Sequence, residues 1–330
     1  MFIVENYGSA VLFCVVTMLC WGSWANTQKL ADKTCRFELF YWDYIIGMFV
    51  FSLLLAFTLG SNGDVGRSFS DDINQADNSN LLSAFVGGVI FNLANILLVA
   101  ALNLAGMAVA FPIGIGIALI LGVLLNYMLS PVGDLSLLIL GVVLVMVAIL
   151  FTAAAYRKAT VGAKVSNKGI ALSIVSGLLM GSFYPFVANG ISPNFSMPEA
   201  GMLTPYSAFV VMVVGALISN FLFNTLLMKK PFSGNAVSYS DYFKGSLKSH
   251  LAGMLGGVIW ALGTSFNIIA SGKAGFAISY GLGQGATLIA AIWGVLIWKE
   301  FKGAPRLTNL LIAFMFLFYV LGLVVIILSK

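Results

Sequence analysis

Asp43 lies in the run Phe40-Tyr41-Trp42-Asp43-Tyr44, at least one helical turn inside an apolar stretch. A carboxylate at such a depth is costly and is a functional candidate by default. It could take up a proton, a sodium ion or a solute hydroxyl; it could equally pair with Lys29, Lys33 or Arg36 of the adjacent loop. Asn92 and Asn95 are three apart and share a helix face. Buried amides need partners, so this face is expected to look inward, toward a ligand or toward other helices, where such bonds are worth roughly 0.6 kcal/mol each. The first apolar stretch ends Trp21-Gly22-Ser23-Trp24-Ala25-Asn26, and a later one holds Gly181-Ser182-Phe183-Tyr184-Pro185 with Asn189 beyond. Aromatic rings cover apolar faces while amides both donate and accept, which suits a neutral polar ligand. Trp21 and Trp24 also fit an interfacial aromatic belt. Trp260 and Thr264, and again Tyr280 and Gln284, are four apart and complete the candidate substrate set; Asp43 is the candidate for proton or ion coupling.

Enzyme chemistry finds no support. There is a single histidine, His250, at the opening of an apolar stretch, and no H-E-x-x-H or G-x-S-x-G pattern occurs. Gly162-Ala163-Lys164 lacks the phosphate-loop spacing, and the glycines spell no dinucleotide fingerprint. Cys14, Cys20 and Cys35 have no metal-ligand spacing and read as free thiols. Neither a cofactor nor a metal is expected.

The elements that must position these residues are membrane spans. Hydrophobic residues make up 60% of the chain and charged ones 9%, where a soluble domain carries about 25% charged residues. A span needs about 20 apolar residues. Ten are read, at 7–28, 38–60, 81–103, 106–129, 135–156, 168–190, 204–228, 250–271, 274–298 and 308–328. Residues 8–28 do not read as a signal peptide, because no basic segment precedes them. Residues 61–80 read as a solvated acidic loop, and 229–249 as a loop able to hold a short interfacial helix. The net charge of +5 is spread over short loops and excludes a nucleic-acid surface.

Gly87-Gly88-Val89-Ile90 returns as Gly256-Gly257-Val258-Ile259, 169 positions later. The register continues without a gap through Ala105-Gly106 and Ala274-Gly275 to Gly116 and Gly285, with 13 identities in 34 positions. The chain therefore reads as two five-helix repeats, 1–160 and 161–330. Loops after odd-numbered spans hold fourteen of the 17 Lys and Arg residues. By the positive-inside rule those loops are cytoplasmic, so both termini are expected outside the cytoplasm, in the inner (cell) membrane. Five spans per repeat is odd, so the copies are inverted, as in alternating-access carriers. Small residues four apart, at Ala110, Gly114, Ala118 and Gly122, and at Ala277, Gly281 and Gly285, read as close helix packing. Asn92 and Asn95 meet Ala261 and Thr264 in the other copy, so the site is expected to be chemically asymmetric.

The chain resembles the drug/metabolite transporter superfamily, and within it the glucose/ribose porter branch and the related ureide permeases. The resemblance rests on Gly22-Ser23-Trp24, Tyr41-Trp42-Asp43-Tyr44, Gly87-Gly88, Asn126-Tyr127 and Trp298-Lys299-Glu300. It implies a central site between spans one to four and six to nine, with the fifth and tenth peripheral. Plant ureide permeases carry a long central cytoplasmic segment, whereas about a dozen residues join the fifth and sixth spans here, a departure that favours the sugar porters. The expectation is a secondary transporter of a small neutral polar solute, foremost a sugar taken up with or without protons. Carriage or export of nucleobases, ureides or other small metabolites is the alternative, and a membrane scaffold or receptor without transport is a further class. A lipid bilayer surrounds the chain, and a homodimer is left open.

Overall fold

The computed structural model describes residues 1–159, 166–232 and 234–330, with backbone only at Met107 and Ala108. The boundary expected at 160/161, and Lys164 in the loop there, lie outside the described residues. Among those described, ten helices are long and apolar enough to cross a membrane: Tyr7–Leu30, Phe37–Phe57, Asn78–Ala105, Val109–Leu129, Leu135–Lys158, Asn167–Asn189, Pro205–Lys229, Leu247–Ala274, Phe276–Ile297 and Arg306–Leu328. The protein is an all-α integral membrane protein. Helices satisfy their own backbone groups, which is the condition for crossing lipid.

One residue turns the chain between the third and fourth spans, and one between the eighth and ninth. Gly106 has φ 75° and Gly275 φ 83°. A side chain at either would be strained, which is why glycine stands at both.

Spans one, two, eight and nine pack together, and spans three, four, six and seven form a second cluster. Spans five and ten pack on each other at the edge. Glycines set the closest approaches. A Cβ on Gly88 would overlap the carbonyl of Met212, and one on Gly257 that of Tyr44. A Cβ on Gly215 would overlap the carbonyl of Phe85, and one on Gly47 that of Met254. The third span thus meets the seventh in the same way as the eighth meets the second. In lipid such van der Waals fit is what holds helices together.

One end of the bundle gathers both termini: the Tyr7 hydroxyl donates to the Ile327 carbonyl at 2.6 Å, and that of Tyr206 to the Phe2 carbonyl at 3.0 Å. The opposite end carries the loops rich in Lys and Arg. There a helix Tyr239–Phe243 forms in the 229–249 loop, capped by Ser238 and Asp241 in a reciprocal box.

The acidic 61–80 segment is not merely a solvated loop. It contains a helix, Phe69–Gln75, and Asp72 is fully buried. Arg67 Nε bonds Asp72 at 2.8 Å, while its other nitrogens donate to the carbonyls of Pro198, Glu199 and Met202. The Thr204 amide donates to the second Asp72 oxygen at 2.7 Å. This pairing offsets the desolvation of the carboxylate and clasps the second-to-third connection onto the sixth-to-seventh.

Candidate functional site

A cavity of about 360 Å³ lies between the two helix clusters, within the range of small-molecule sites. It runs from mid-bundle toward the basic end. Spans one, three and nine supply most of its wall, with single or paired residues from spans two, four, six and eight. Spans five and ten supply none, and neither does span seven, which the expected layout had included in the wall.

Local breaks expose these walls. The first span changes from α-helix to a tighter 3₁₀ turn at Trp24–Leu30. Gly22 lies so close to the ninth span that a Cβ would stand 2.5 Å from the Ala286 carbonyl. The ninth span stops being α-helical at Gln284 and Gly285 and resumes at Ala286–Ile292. Three glycines within five residues (281, 283, 285) make a helix weak there, and a broken span is tolerated where it lines a cavity.

The floor is aromatic. Trp260 lies 4.4 Å from Phe91 between ring centroids, and Phe91 5.4 Å from Phe183. Trp21 lies parallel to Trp260, 14° between planes at 6.1 Å. The Trp21 indole N–H donates to Thr264 Oγ1 at 2.9 Å, and the Thr264 hydroxyl donates to the Trp260 carbonyl at 3.0 Å. That chain of bonds fixes the indole face toward the cavity.

The polar groups are amides. Asn95 donates from its amide nitrogen to the Tyr41 hydroxyl at 3.2 Å, and its carbonyl oxygen has no protein partner. Tyr41 donates to Asn92 at 3.0 Å, and Asn92 to Ser219 at 2.9 Å. Asn92 is fully buried, so it positions Tyr41 and Asn95 without lining the cavity. Gln284, Gln28 and Asn103 line the cavity and bond no protein group through their side chains. Among the described lining residues there is no Asp, Glu, Lys, Arg or His. The site can hold a neutral solute between rings and bond it through free amides.

The remaining candidates lie elsewhere. Tyr280 and Tyr184 are fully buried beyond the floor, 5.4 Å apart, and close the cavity on the side of the termini. The Tyr280 hydroxyl stands 3.2 Å from the carbonyls of both Ala118 and Met180, bridging the clusters. Trp24 lines the cavity, whereas Asn26 ties the first span to the ninth by accepting from the Trp298 indole at 2.7 Å. Asn189 is exposed at the far end of the sixth span.

Asp43 lies outside the cavity. Its carboxylate accepts from the Tyr242 hydroxyl at 2.7 Å and meets His250 Nδ1 at 2.8 Å. These groups line a separate pocket of about 470 Å³ at the basic end. Burial and the Asp43 charge both push the Tyr242 hydroxyl above its usual range, which keeps it a donor. Lys29 reaches over the Trp298 ring instead, and Arg36 pairs with Glu38.

Phe37, Phe91, Asn103 and Thr287 escape the sequence reading, and Phe183 and Gln28 belong to the runs read there without being among the chosen candidates. Asn103 carried a signal: it is eleven residues from Asn92 and so returns to nearly the same helix face. The phenylalanines carried none, because a ring in a span is ordinary.

A ten-span bundle around a neutral, aromatic and amide-lined cavity defines a membrane transporter of small solutes. The chain belongs to the sugar transport protein family, whose profile matches residues 12–328. Ureide permease 1 of Arabidopsis thaliana is 21% identical over 391 residues, covering 100% of this chain and 99% of the relative. Probable ureide permease A3 of Vigna unguiculata is 29% identical over 135 residues, 39% of this chain and 35% of its own. The first alignment is longer than the 330 residues here, so that relative carries insertions this chain lacks. A crystal structure of another protein shares the fold with a TM-score of 0.62 at 15% identity, covering 97% of this chain and 96% of its own. The protein is a transporter and not an enzyme.

Proposed function

We propose that the protein takes a monosaccharide-sized neutral solute into the cell by alternating access between two inverted units, 1–160 and 161–330. One observation carries the reading: the unpaired amides of Gln284, Gln28 and Asn103 and the carbonyl oxygen of Asn95 stand on aromatic walls with no charged residue among the described lining residues. A sugar offers what such walls take, apolar ring faces and hydroxyls that donate and accept. The reciprocal approaches of Gly88 and Gly257, and of Gly47 and Gly215, support the two units. With the basic end cytoplasmic, both termini lie outside the inner membrane and the cavity here faces inward. Counterflow in proteoliposomes tests the substrate. Failure of every sugar in a broad monosaccharide panel overturns the sugar reading.

The full-length likeness to proteins named ureide permeases favours a second reading, a planar ureide held against Trp21 and Trp260. Allantoin competing better than any sugar selects it.

Proton coupling through Asp43 is part of the proposal. The carboxylate sits with the chain's one histidine in a pocket at the inner end, joining the second span, the eighth span and the loop helix. It acts at a distance from the solute. Asp43→Asn is expected to abolish pH-driven accumulation while leaving counterflow, and intact accumulation removes the role.

A further inference from the structure

We infer that Phe111 is the inner gate, the counterpart of Tyr280, and that it seals the cavity against Thr287 and Trp21 when the carrier faces outward. The inference rests on the alternating-access reading above.

In this structure the outer side is shut by Tyr280, whose hydroxyl reaches Ala118 on the fourth span and Met180 on the sixth. The repeat register of 169 positions places Phe111 where Tyr280 stands, and Thr287 where Ala118 stands. Contacts give the register for the first and sixth spans. A Cβ on Gly181 would meet Leu121 and the Ala118 carbonyl, as one on Gly22 would meet Ile289 and the Ala286 carbonyl. Gly22 therefore corresponds to Gly181 within one residue, and Trp21 to Met180. Phe111, Thr287 and Trp21 all line the open cavity on facing walls. When the outer side opens, the same rocking brings Phe111 across to the other two.

The two gates differ by one hydroxyl. Tyr280 holds the outer gate with a proton shared between two carbonyls, whereas Phe111 has none to give. The inner gate thus has one hydrogen bond fewer than the outer gate, a difference that favours the inward-open form. One interhelical hydrogen bond in a membrane shifts such an equilibrium by about three-fold.

Ser271 is buried near the outer end of the eighth span, where its hydroxyl donates to the Ile268 carbonyl at 2.6 Å and neighbours the Tyr184 hydroxyl. It corresponds to Leu102 of the inner mouth, so it becomes accessible when the outer side opens. Ser271→Cys in a Cys35→Ser background, reconstituted and labelled from the terminal side with an impermeant thiol reagent, reads the outward population. Phe111→Tyr and Tyr280→Phe are each expected to raise the labelling rate about three-fold. A rise with Tyr280→Phe but none with Phe111→Tyr overturns the inner gate and leaves the carrier reading standing. Labelling that neither variant moves, and that no transported sugar or ureide alters, overturns alternating access itself.

Discussion

Alanine at Gly88 or Gly257 should loosen the molecule at two equivalent points and by similar amounts. At Gly88 the added Cβ would stand 2.7 Å from the Met212 carbonyl carbon and 2.9 Å from the Ala216 nitrogen. At Gly257 it would stand 2.8 Å from the Met48 nitrogen and 2.9 Å from the Tyr44 carbonyl carbon. Ordinary contact begins at 3.4 Å. Every one of these neighbours is backbone, so no rotamer relieves the overlap and whole helices must part. Overpacking of this kind costs about 1–3 kcal/mol, and the rigid neighbours place both variants toward the upper end. Lost van der Waals fit is not recovered elsewhere, because lipid is as apolar as the helix surface. Gly8→Ala is the control, since its nearest neighbour is Asn6 Oδ1 at 3.4 Å. Thermal midpoints of the purified protein in detergent measure the effect. The expected order is a clear drop for both variants and none for the control. Midpoints for Gly88→Ala and Gly257→Ala that match Gly8→Ala would falsify the packing argument.

Other outcomes follow from the site and its surroundings. Asn95→Leu removes an unpaired carbonyl oxygen and Gln284→Leu an unpaired amide from the cavity, and each should raise KM about 2- to 12-fold, the worth of one neutral hydrogen bond, in solute uptake assays; an unchanged KM places the solute elsewhere. Arg67→Ala leaves the Asp72 carboxylate buried without its cation. Its cost should approach the ~3–5 kcal/mol of a broken buried pair, reduced by partial exposure of the guanidinium, and should appear as a lower thermal midpoint that Arg67→Ala/Asp72→Asn partly restores. Cys35 lies outside the spans, and burial pushes its thiol above the usual range. Its alkylation should be slow at neutral pH and accelerate well above pH 8.5, the free-thiol value; fast labelling at pH 7 contradicts that burial. Asp32 is held below the usual carboxylate range first by the Ser246 hydroxyl. Its tie to the 246–249 segment is therefore fully present above about pH 4 and lost as pH falls through the lowered value. Trypsin cleavage at Lys244 and Lys248, assayed at neutral pH after a brief acid step, should stay slow if the tie re-forms, and should quicken in Asp32→Ala.

The ten spans and the near-absence of a loop after the third and the eighth are legible in the sequence because lipid demands long apolar runs; the turning glycines, Gly106 and Gly275, stand just beyond the gaps read at 104–105 and 272–273. Part of the cavity is legible too, since Trp21, Trp24, Asn95, Trp260 and Gln284 are polar or amphipathic side chains in apolar runs. The phenylalanine walls are not, because nothing in a chain with 26 phenylalanines distinguishes Phe91 or Phe183 from those facing lipid. Long-range pairings escape as well. His250 meets Asp43 across 207 positions and Arg67 reaches Met202 across 135, and neither residue announces its partner. The Phe69–Gln75 helix was hidden for a related reason: its composition is that of a solvated loop, and only the Arg67 clasp makes burial of Asp72 tolerable.

At the centre of the molecule Phe91 touches Trp260, and the 169-position register pairs these two residues. Four residues along each helix, Asn95 matches Thr264 in the same way. A pocket with identical halves would accept a chiral solute in two opposed poses of equal energy, and each turnover would begin with either. Unequal rings and an amide set against a hydroxyl remove that degeneracy. On the proposed two-unit reading, carrying both units on one chain would let the pocket tell the head of its solute from the tail, which no assembly of two identical subunits could do on its own axis.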